Sequence, residues 1–382
     1  MFLIIINDKI NYGEKMRETY ALINLNYLKH NIKEIMAYYP YEYYFGVVKS
    51  NAYGHGFEVV KTMDKAGINY FCVATLEEAL KVREYTNKPI LCFGYVNTND
   101  IDLVIKNDIT LSIISYDYYK ELKKINKKIK VHIKINSGMN RFGIKDKNEL
   151  KEIIENLKKS NIYVEGIYTH LATSGVNDPY YDRQINNFKE ITSLINLKDI
   201  KIVHIYNSLG LARHKKLEFC NGARLGLMMY GFTYKIGESK LTKLKRKLFN
   251  KNISPTLLTN NLNLKKVLSL HSEIVNINKL KKDEFVGYNA KFIAKNNTLI
   301  AVVSIGHADG VTNSYKNVLI NNKKYKIVAI CMDYIMVEVD ENVHLHDKVD
   351  LICEDLPISK INDIPHHIFV SITERVERRY KE

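Results

Sequence analysis

The chain has 382 residues, of which 46% are hydrophobic and 26% charged, a globular composition that excludes a disordered or fibrous protein. This length exceeds what a single hydrophobic core usually supports, so two domains are expected. The formal net charge of +15 suits a nucleic-acid partner, but the lysines are spread along the chain beside many Asn and Ile residues, and we predict no such partner.

The N-terminus and the cysteines indicate a cytoplasmic protein. The apolar stretch at residues 2–6 is followed at once by polar residues, so it is too short for a signal peptide. No stretch approaches the ~20 apolar residues of a membrane span, and no membrane partner is expected. The five cysteines show no Cys-x-x-Cys pair and no metal-ligand spacing. We expect buried free thiols at Cys72, Cys92 and Cys353, and no bound metal.

The segment 46–56 reads Gly-Val-Val-Lys-Ser-Asn-Ala-Tyr-Gly-His-Gly, which predicts an apolar strand that ends on Lys49 and enters a glycine-broken loop. Lysine is the usual covalent anchor of pyridoxal 5'-phosphate (PLP), because its amine condenses with the cofactor aldehyde to a Schiff base. The loop Ser50–Gly54 offers a hydroxyl and backbone N–H groups to a phosphate. A lysine at a strand end is more often simply solvated, so this segment alone leaves both interpretations open.

Between residues 20 and 231, short apolar runs alternate with amphipathic segments of helical spacing, such as Glu77–Tyr85 and Asn148–Leu157. Continuous apolar runs separated by helices indicate parallel strands buried on both faces. Eight such units in about 210 residues favour an α/β fold of the TIM (β/α)8 barrel type over an open doubly wound sheet. The eight runs are Phe45–Val48, Tyr70–Ala74, Ile90–Phe93, Thr110–Ile114, Lys130–Ile135, Val164–Tyr168, Ile200–Ile205 and Leu225–Tyr230.

The composition and the residue pattern of the sequence change after the predicted barrel. Residues 236–263 are polar and rich in Lys and Asn, and we interpret them as a linker or insertion. Short β-rich runs then dominate, which predicts a mostly antiparallel β domain. We therefore expect the barrel over residues 17–235 and the β domain over residues 264–382, with residues 1–16 a candidate to pack with the latter. The β-rich runs are Leu268–Val275, Leu299–Ser304, Tyr325–Ile330, Ile335–Val339 and Val349–Ile352.

Ionisable and polar residues recur at the predicted carboxyl ends of successive barrel strands. A purely structural sheet gains nothing from buried unpaired charge, and TIM-barrel enzymes carry their chemistry at this end. The pattern therefore predicts an active site there. Its residues are Lys49 after strand one, Lys134 and Arg141 on and after strand five, His170 after strand six, His204, Asn207 and Ser208 at the end of strand seven, and Arg224 where strand eight begins.

Each of these segments resembles the matching segment of the alanine racemase family, in the same order and at similar intervals, from Tyr20 to about Tyr380. That family consists of PLP enzymes built from a barrel and a β domain. The resemblance implies a PLP-dependent isomerase that interconverts L- and D-alanine and supplies D-alanine for peptidoglycan. A serine or broad-specificity racemase is the alternative.

The resemblance also implies roles around the cofactor. Lys49 carries it, and Arg224 faces its pyridine nitrogen; a guanidinium cannot give up its proton, so that nitrogen stays unprotonated and the cofactor becomes a weaker electron sink. Arg141 contacts the phenolic oxygen and helps to hold the substrate carboxylate, and Lys134 matches a lysine that the family often keeps carbamylated. The remaining cofactor candidates are Tyr53, Ser208, Gly226 and Leu227 at the phosphate, with His204 and Asn207 beside them.

Racemisation requires proton removal on one face of the substrate and delivery on the other, hence two acid/base groups. Lys49 is one, and the segment 285–290 resembles the family motif that carries the opposing tyrosine, Tyr288. A tyrosine with a pKa near ~10 is a poor base at neutral pH, and His170 and Arg224 match a chain that lowers this cost. In the family this tyrosine comes from the partner subunit, which implies a homodimer. Met332 at the carboxylate and Asp333 in the catalytic network complete the set.

Some positions depart from the family pattern. His307 and Glu374 stand where the family commonly has gate tyrosines, and Asn136, Asn140 and Asn289 replace the common Asp, Gly and Gly. None of these changes removes a proposed proton-transfer group. They concern substrate size and preference, and they keep the serine alternative open.

Two further PLP-binding classes share the barrel. The small PLP-homeostasis proteins lack a β domain, whereas this chain has more than 100 residues predicted for one. The decarboxylases on this fold place an acidic residue against the pyridine nitrogen, where this chain has Arg224. Both alternatives are therefore less favoured than a racemase.

Overall fold

The computed structural model describes residues 17–125, 127–173, 179–232, 262–361 and 363–382. The described chain forms two compact units. The barrel unit comprises the described part of Asn24–Val267 together with Tyr380–Glu382, and the β unit comprises residues 17–23 and Leu268–Arg379. The first described strand, β1 (Tyr20–Asn24), pairs within the sheet of the β unit.

The barrel unit contains a closed barrel of eight parallel strands, each paired with the next in chain order. The last strand closes on the first through the pairs Tyr43↔Gly222 to Gly46↔Leu225. Most strand residues are buried, because both faces of the wall are covered, and this explains why the strands read as continuous apolar runs. The strands are β2 (Tyr43–Val47), β3 (Tyr70–Val73), β4 (Ile90–Cys92), β5 (Ile109–Ile113), β6 (Ile129–Lys134), β7 (Ile162–Tyr168), β8 (Ile202–His204) and β9 (Gly222–Leu225).

Helices connect the barrel strands, and polar side chains define where several of them begin. Asn24 Oδ1 accepts a hydrogen bond from Tyr27 N at 2.9 Å and starts the first helix, and Asp146 caps another by accepting from two backbone N–H groups. The helices are α1 (Leu25–Tyr38), α2 (Lys49–Tyr53), α3 (Val59–Ala66), α4 (Leu76–Arg83), α5 (Ile101–Lys106), α6 (Tyr116–Ile125), α7 (Lys147–Leu157), α8 (Pro179–Ile191) and α9 (Ser208–Arg213).

The β unit is built on one sheet of eight strands in the order β13-β16-β15-β14-β17-β10-β1-β18, with a two-stranded hairpin β11-β12 beside it. A register shift between Ile274 and Asn276 lets the long strand β10 pair with β13 as well as with β1 and β17. The elements are β10 (Leu268–Leu280), β11 (Phe285–Val286), β12 (Phe292–Ile293), β13 (Thr298–Val303), β14 (Asn317–Ile320), β15 (Lys323–Ile330), β16 (Ile335–Val339), β17 (Lys348–Ile352), α10 (Pro365–Ser371) and β18 (Glu377–Lys381).

The predicted barrel and the predicted antiparallel β domain are both confirmed. The eighth barrel strand is Gly222–Leu225, not Leu225–Tyr230, because Gly226 N and Met228 N donate to Ser208 Oγ and turn the backbone out of the sheet. Strand β1 lies in the antiparallel sheet, although the sequence analysis assigned residues from 17 onward to the barrel. The other domain boundaries stay predictions, and the linker expected at residues 236–263 lies outside the described residues except for 262–263.

The five cysteines are free thiols, which agrees with the prediction for Cys72, Cys92 and Cys353. Cys72 and Cys92 are buried in the barrel wall, whereas Cys353 is only half-buried, so the prediction of its full burial was wrong. Cys353 follows the end of β17, where its sulfur accepts from Leu356 N at 3.4 Å in a turn at the protein surface. Among the described residues, none of the helices combines the length and the apolar character needed to cross a bilayer.

Candidate active site

Lys49 lies just beyond the carboxyl end of β2 and begins α2. Burial and the neighbouring Arg141 cation lower the pKa of the Lys49 amine, while the Glu78 carboxylate acts in the opposite direction. A lowered pKa increases the fraction of neutral amine, which is the nucleophilic and basic form. The environment of Lys49 is thus suited to a reacting amine.

The turn after Lys49 is left-handed. Ser50, Asn51, Ala52 and Tyr53 have φ values of 52–55°, a region that costs an L-residue about 1–2 kcal/mol because Cβ approaches the carbonyl oxygen. Four consecutive residues of this kind, none of them glycine, persist only where surrounding contacts determine the conformation. The conformation of this turn is therefore fixed by its surroundings and not by local propensity.

Glu78, in α4, is the contact that holds this turn. Its Oε1 accepts from Ser50 N at 2.6 Å, and its Oε2 accepts from Ala74 N at 2.8 Å at the end of β3. One carboxylate thereby joins the carboxyl ends of two neighbouring barrel strands through charge-assisted hydrogen bonds.

A small polar cradle forms where β9 ends. Ser208 Oγ accepts from Gly226 N at 2.8 Å, and Asn207 caps α9 by accepting from Gly210 N at 2.9 Å. A Cβ placed on Gly226 would lie 3.7 Å from both Ser208 Oγ and Tyr53 Oη, so two hydroxyls converge on the side-chain position that glycine leaves open. Hydroxyls and a close-lying backbone are the donors that a phosphate group takes.

Arg224, on β9, is fully buried and held by several acceptors. Its Nη1 donates to His204 Nδ1 at 2.9 Å and to His204 O at 3.0 Å, and its Nη2 donates to Thr169 O at 2.9 Å and Ile205 O at 2.6 Å. His170 Nδ1 lies 3.4 Å from Nη2. Burial lowers the pKa of Arg224 to about 10, so the guanidinium remains a cation at neutral pH.

The carboxyl end of the barrel is strongly electropositive. Burial, Arg141, Arg224 and Lys49 lower the pKa of Lys134 to about 8. Burial and the cations around it, Arg224 foremost, lower the pKa of His170 to about 3, so this imidazole is neutral. The barrel residues predicted from sequence therefore act electrostatically on one another, which is the arrangement expected of a site for an anionic ligand.

The predicted residues of the β unit lie on neighbouring elements. Tyr288 follows the strand β11, and Met332 and Asp333 lie in the turn between β15 and β16. The hairpin packs against this region, because a Cβ on Gly287 would come within 2.8 Å of Ala329 Cβ. The side chain of Tyr288 is 76% exposed in the single chain, which is unusual for a tyrosine.

Asp333 belongs to a chain of charges that the sequence analysis did not identify. Arg375 Nη2 lies 2.9 Å from Asp333 Oδ1, and Arg375 Nε lies 3.5 Å from Asp309 Oδ1. The fully buried Asp309 carboxylate is also bound in a bidentate manner by Arg17 and accepts from Gly306 N at 2.9 Å. These pairs fix the segment that carries His307.

The positions that depart from the family pattern lie in turns and at exposed sites. His307 lies in a 3-10 turn, where its Nδ1 donates to Val311 O at 2.8 Å. Glu374 is exposed, and Asn136 Oδ1 accepts from Asn140 N at 2.9 Å. Asn140 has a φ of 57° and Asn289 of 61°, both in the left-handed region that favours the Gly common in the family, and Asn tolerates it.

These features define a class: a barrel enzyme with a half-buried lysine at the end of the first barrel strand and a polar cradle at the same end, followed in the chain by an antiparallel β domain. Comparison with known families agrees. Residues 23–234 match the model of the alanine racemase N-terminal domain, and residues 267–380 match that of the alanine racemase C-terminal domain. This chain belongs to the alanine racemase family.

Similar proteins match nearly the whole chain. An alanine racemase of Ligilactobacillus salivarius is 31% identical over 386 residues, covering 96% of this chain and 98% of its own. Alanine racemase 1 of Caldanaerobacter subterraneus is 32% identical over 391 residues, covering 96% and 95%. The crystal structure of alanine racemase from Bacillus anthracis with bound L-Ala-P superposes with a TM-score of 0.84 at 30% identity and covers 97% of this chain and 96% of its own.

The supporting residues Glu78, Arg375 and Asp309 escaped the sequence analysis for a common reason. Each acts on a backbone amide or a charge that is distant in sequence, and its local context is ordinary. Glu165 was not identified either, although the sequence carries a signal for it: a carboxylate inside the apolar run 164–168 indicates a buried partner.

Proposed function

We propose that this protein is a PLP-dependent alanine racemase that interconverts L- and D-alanine. The observation that carries this is the buried, electropositive carboxyl end of the barrel, where Lys49, with its lowered pKa, belongs to the same set of interacting groups as Lys134, Arg141, His170 and Arg224. Membership of the alanine racemase family supports the same reaction.

The residues present fit PLP. The cradle of Ser208, Gly226 and Tyr53 suits its phosphate, with Leu227 and Asn207 adjacent in the chain, and Arg224, which donates to His204, suits its pyridine nitrogen. When bound, PLP supplies the electron sink that acidifies the α-proton of an amino acid. Arg224, a donor without a lone pair, keeps that sink weak and so limits competing chemistry.

Lys49 would anchor the cofactor and then, once displaced by the substrate amine, exchange a proton with the α-carbon on one face. Burial and Arg141 favour the neutral amine that this requires. Tyr288 would exchange the proton on the opposite face. His170 is neutral and accepts a hydrogen bond from Arg224. This contact supports the proposal that His170 and Arg224 belong to the network that eases deprotonation of Tyr288.

Arg141 would bind the substrate carboxylate, with Met332 beside it. Lys134 would position Arg141 most effectively as a carbamate, because a negative charge would then face that guanidinium. Without the carbamate the two cations repel, and Arg141 accordingly lowers the pKa of Lys134. Asp333, paired with Arg375, would hold the turn that carries Met332.

A homodimer with shared sites is part of the proposal. The hairpin β11-β12 and the neighbouring turn expose several large apolar side chains, which in a single chain would be solvated at a cost. A second copy of the chain, bringing Tyr288 to its barrel, would cover them. The exposed residues are Phe285, Tyr288, Ile293, Met332 and Tyr334, with exposed fractions of 63%, 76%, 54%, 59% and 45%.

The test is turnover of each enantiomer of alanine and of serine, followed by chiral separation. We expect alanine to be racemised fastest and the purified protein to be yellow. Lys49→Ala should abolish both the activity and the colour, and Lys61→Ala, a change of an exposed lysine paired with Glu58, should alter neither. Retention of activity by Lys49→Ala, or faster turnover of serine, would refute the assignment.

The physiological role is tested in cells. We propose that the enzyme acts in the cytoplasm and supplies D-alanine for peptidoglycan. Expression should then restore growth of a bacterial D-alanine auxotroph without added D-alanine, and the Lys49→Ala form should not. Failure of an expressed, active enzyme to support growth would contradict this role.

A further inference from the structure

A line of polar side chains crosses the interior of the barrel, where TIM barrels normally pack branched apolar residues. Arg224 Nη1 lies 2.9 Å from His204 Nδ1, and His204 Nε2 lies 2.9 Å from His132 Nδ1. His132 Nε2 in turn lies 3.6 Å from Glu165 Oε2. These four residues, on β9, β8, β6 and β7, form what we call the polar line; none is more than 4% exposed.

The barrel wall is shaped to hold the two imidazoles. A Cβ on Gly166 would lie 2.5 Å from His132 Nδ1 and Cε1, and a Cβ on Gly222 would lie 2.9 Å from His204 Cβ. Any other residue at these two wall positions would displace a ring. The glycines therefore leave the space that the polar line occupies.

Hydrogen-bond chemistry gives the line a direction. A guanidinium only donates, so His204 Nδ1 must accept from Arg224 and its proton must sit on Nε2. That Nε2–H donates to His132 Nδ1, which puts the proton of His132 on Nε2, facing Glu165. His132 Nε2 has no hydrogen-bond partner within 3.5 Å among the described residues, so the carboxylate is the acceptor towards which it points.

Glu165 ends the line as an anion. Tyr70 Oη donates to its Oε2 at 2.8 Å, and Lys201 Nζ donates to its Oε1 at 2.9 Å. Burial raises the pKa of Glu165, but the nearby His132 and the hydrogen bonds from Lys201 and Tyr70 outweigh this and lower it to about 2. Burial lowers the pKa of both imidazoles, so a buried cation and a buried anion are joined by two neutral rings.

We propose that Glu165 and His132 are positioning residues for the reaction: they hold His204 in the tautomer that accepts from Arg224, and so hold the guanidinium in place. If the carboxylate is neutralised, the reversed tautomers become accessible. His204 would then carry its proton on Nδ1, and that proton would oppose the Arg224 Nη1–H. The catalytic consequence rests on the proposed function, while the tautomers are a property of the chain itself.

The first experiment needs no activity. Histidine-labelled protein freed of PLP is studied by 15N NMR, with signals assigned from His132→Gln and His204→Gln. We expect both wild-type rings to be neutral and protonated on Nε2, and Glu165→Gln to populate the Nδ1–H form of His204. Ser112→Ala, a matched loss of a buried barrel hydroxyl that contacts Cys92 O and Tyr168 Oη, should leave both tautomers unchanged.

The second experiment measures racemisation. Loss of one oriented buried hydrogen bond should lower kcat about tenfold in Glu165→Gln and in His132→Gln, with little change in the KM for alanine. Glu165→Asp, which keeps the charge, should recover part of both the rate and the wild-type tautomer. Ser112→Ala should stay within about twofold of wild type.

The outcomes are separable. A wild-type His204 protonated on Nδ1 overturns the proposal without any variant, even if Glu165→Gln fails to fold. A changed tautomer in folded Glu165→Gln with an unchanged kcat overturns the positioning role. An inactive wild-type protein with the expected tautomers would instead refute the proposed function and leave the polar line intact.

Discussion

At the scale of single residues, a substitution of Gly226 should affect cofactor binding without affecting folding. A methyl group there would lie 3.7 Å from Ser208 Oγ and Tyr53 Oη, an ordinary van der Waals distance, so Gly226→Ala should fold normally. If a phosphate fills this cradle, the methyl group displaces it. We expect PLP affinity to fall roughly tenfold or more, as for loss of one or more charge-assisted hydrogen bonds. Fluorescence titration of PLP into the PLP-free protein measures this.

Gly166→Ala is the comparison variant for Gly226→Ala, because it should affect folding. Its methyl group would lie 2.5 Å from the His132 ring, so it should lower the unfolding temperature of the PLP-free protein, whereas Gly226→Ala should not. A Gly226→Ala protein that unfolds normally and binds PLP with wild-type affinity would show that the phosphate lies elsewhere.

Lys134 gives a prediction on pH. Burial and the cations Arg141, Arg224 and Lys49 lower its pKa to about 8, so the neutral amine becomes the major form as pH rises through that value. Only the neutral amine can add to carbon dioxide. Carbamylation should therefore increase from pH 7 to pH 9, and 13C NMR in labelled bicarbonate should detect a signal that Lys134→Met lacks.

Activity provides the control for this prediction. Wild-type enzyme depleted of carbon dioxide should lose activity and regain it with bicarbonate, because the carbamate anion restores the orientation of Arg141. Lys134→Met should show low activity in both buffers. A wild-type enzyme whose activity does not respond to bicarbonate, together with an absent carbamate signal, would leave Lys134 as an unmodified cation.

At the scale of elements, the left-handed turn of α2 depends on Glu78. Glu78→Ala removes the acceptor of Ser50 N and Ala74 N, and we expect a loss of about 2–3 kcal/mol in the free energy of unfolding, typical for hydrogen bonds to a charged group. The residues from Ser50 to Tyr53 would then relax from φ near 50°, so the racemisation rate should fall as well. Urea unfolding and kcat are the measurements.

Glu77→Ala is a matched control, since Glu77 is the exposed neighbour in the same first turn of α4. Its effect on both quantities should be small. Glu78→Gln should be intermediate, because an amide has a single oxygen for two donors. Equal effects of Glu77→Ala and Glu78→Ala would show that the turn does not depend on the carboxylate.

The barrel strands were predictable from sequence because they are buried on both faces and therefore read as apolar runs. The α2 turn was not predictable. Ser50, Asn51, Ala52 and Tyr53 include no glycine, and local propensity gives no reason for four left-handed residues in succession. Their conformation is imposed by contacts such as the hydrogen bond from Ser50 N to Glu78. The residues next to Ser50 in the sequence give no indication of this contact.

In the candidate site, too, some residues could be predicted from the sequence and others could not. Lys49, Lys134 and Arg224 could be predicted because they are charged residues within or next to apolar runs, and in the structure Lys49 and Arg224 act electrostatically on Lys134. The partners of Asp333 could not be found in this manner, because Arg375 and Asp309 lie in separate segments that meet only in the folded sheet. Pairing across distant strands is set by the topology of the sheet.

At the scale of the whole molecule, the exposed side chains of the β unit bear on assembly. Phe285, Tyr288 and Met332 are each more than half exposed in the single chain. If a second copy covers them, activity should fall on dilution as dimers dissociate, and Phe285→Asp should weaken the dimer by placing a charge in an apolar contact. Sedimentation velocity over a concentration series measures this, and Tyr95→Asp, a change of an exposed tyrosine of the barrel unit, is the control.

Complementation between inactive chains tests the shared site. Tyr288→Phe should lower racemisation by about 10²–10⁴-fold in both directions, because each direction uses both acid/base groups, and Lys49→Ala should be inactive. In a mixed dimer, the barrel of the Tyr288→Phe chain keeps Lys49 and receives Tyr288 from the Lys49→Ala chain, so one of two sites is intact. Equal mixing with free exchange makes half of the dimers mixed, which should restore about a quarter of wild-type activity. Mixing Lys49→Ala with Lys49→Ala, Tyr288→Phe double-variant chains should restore none. If the first mixture also stays inactive while sedimentation shows mixed dimers, each site is complete within its own chain.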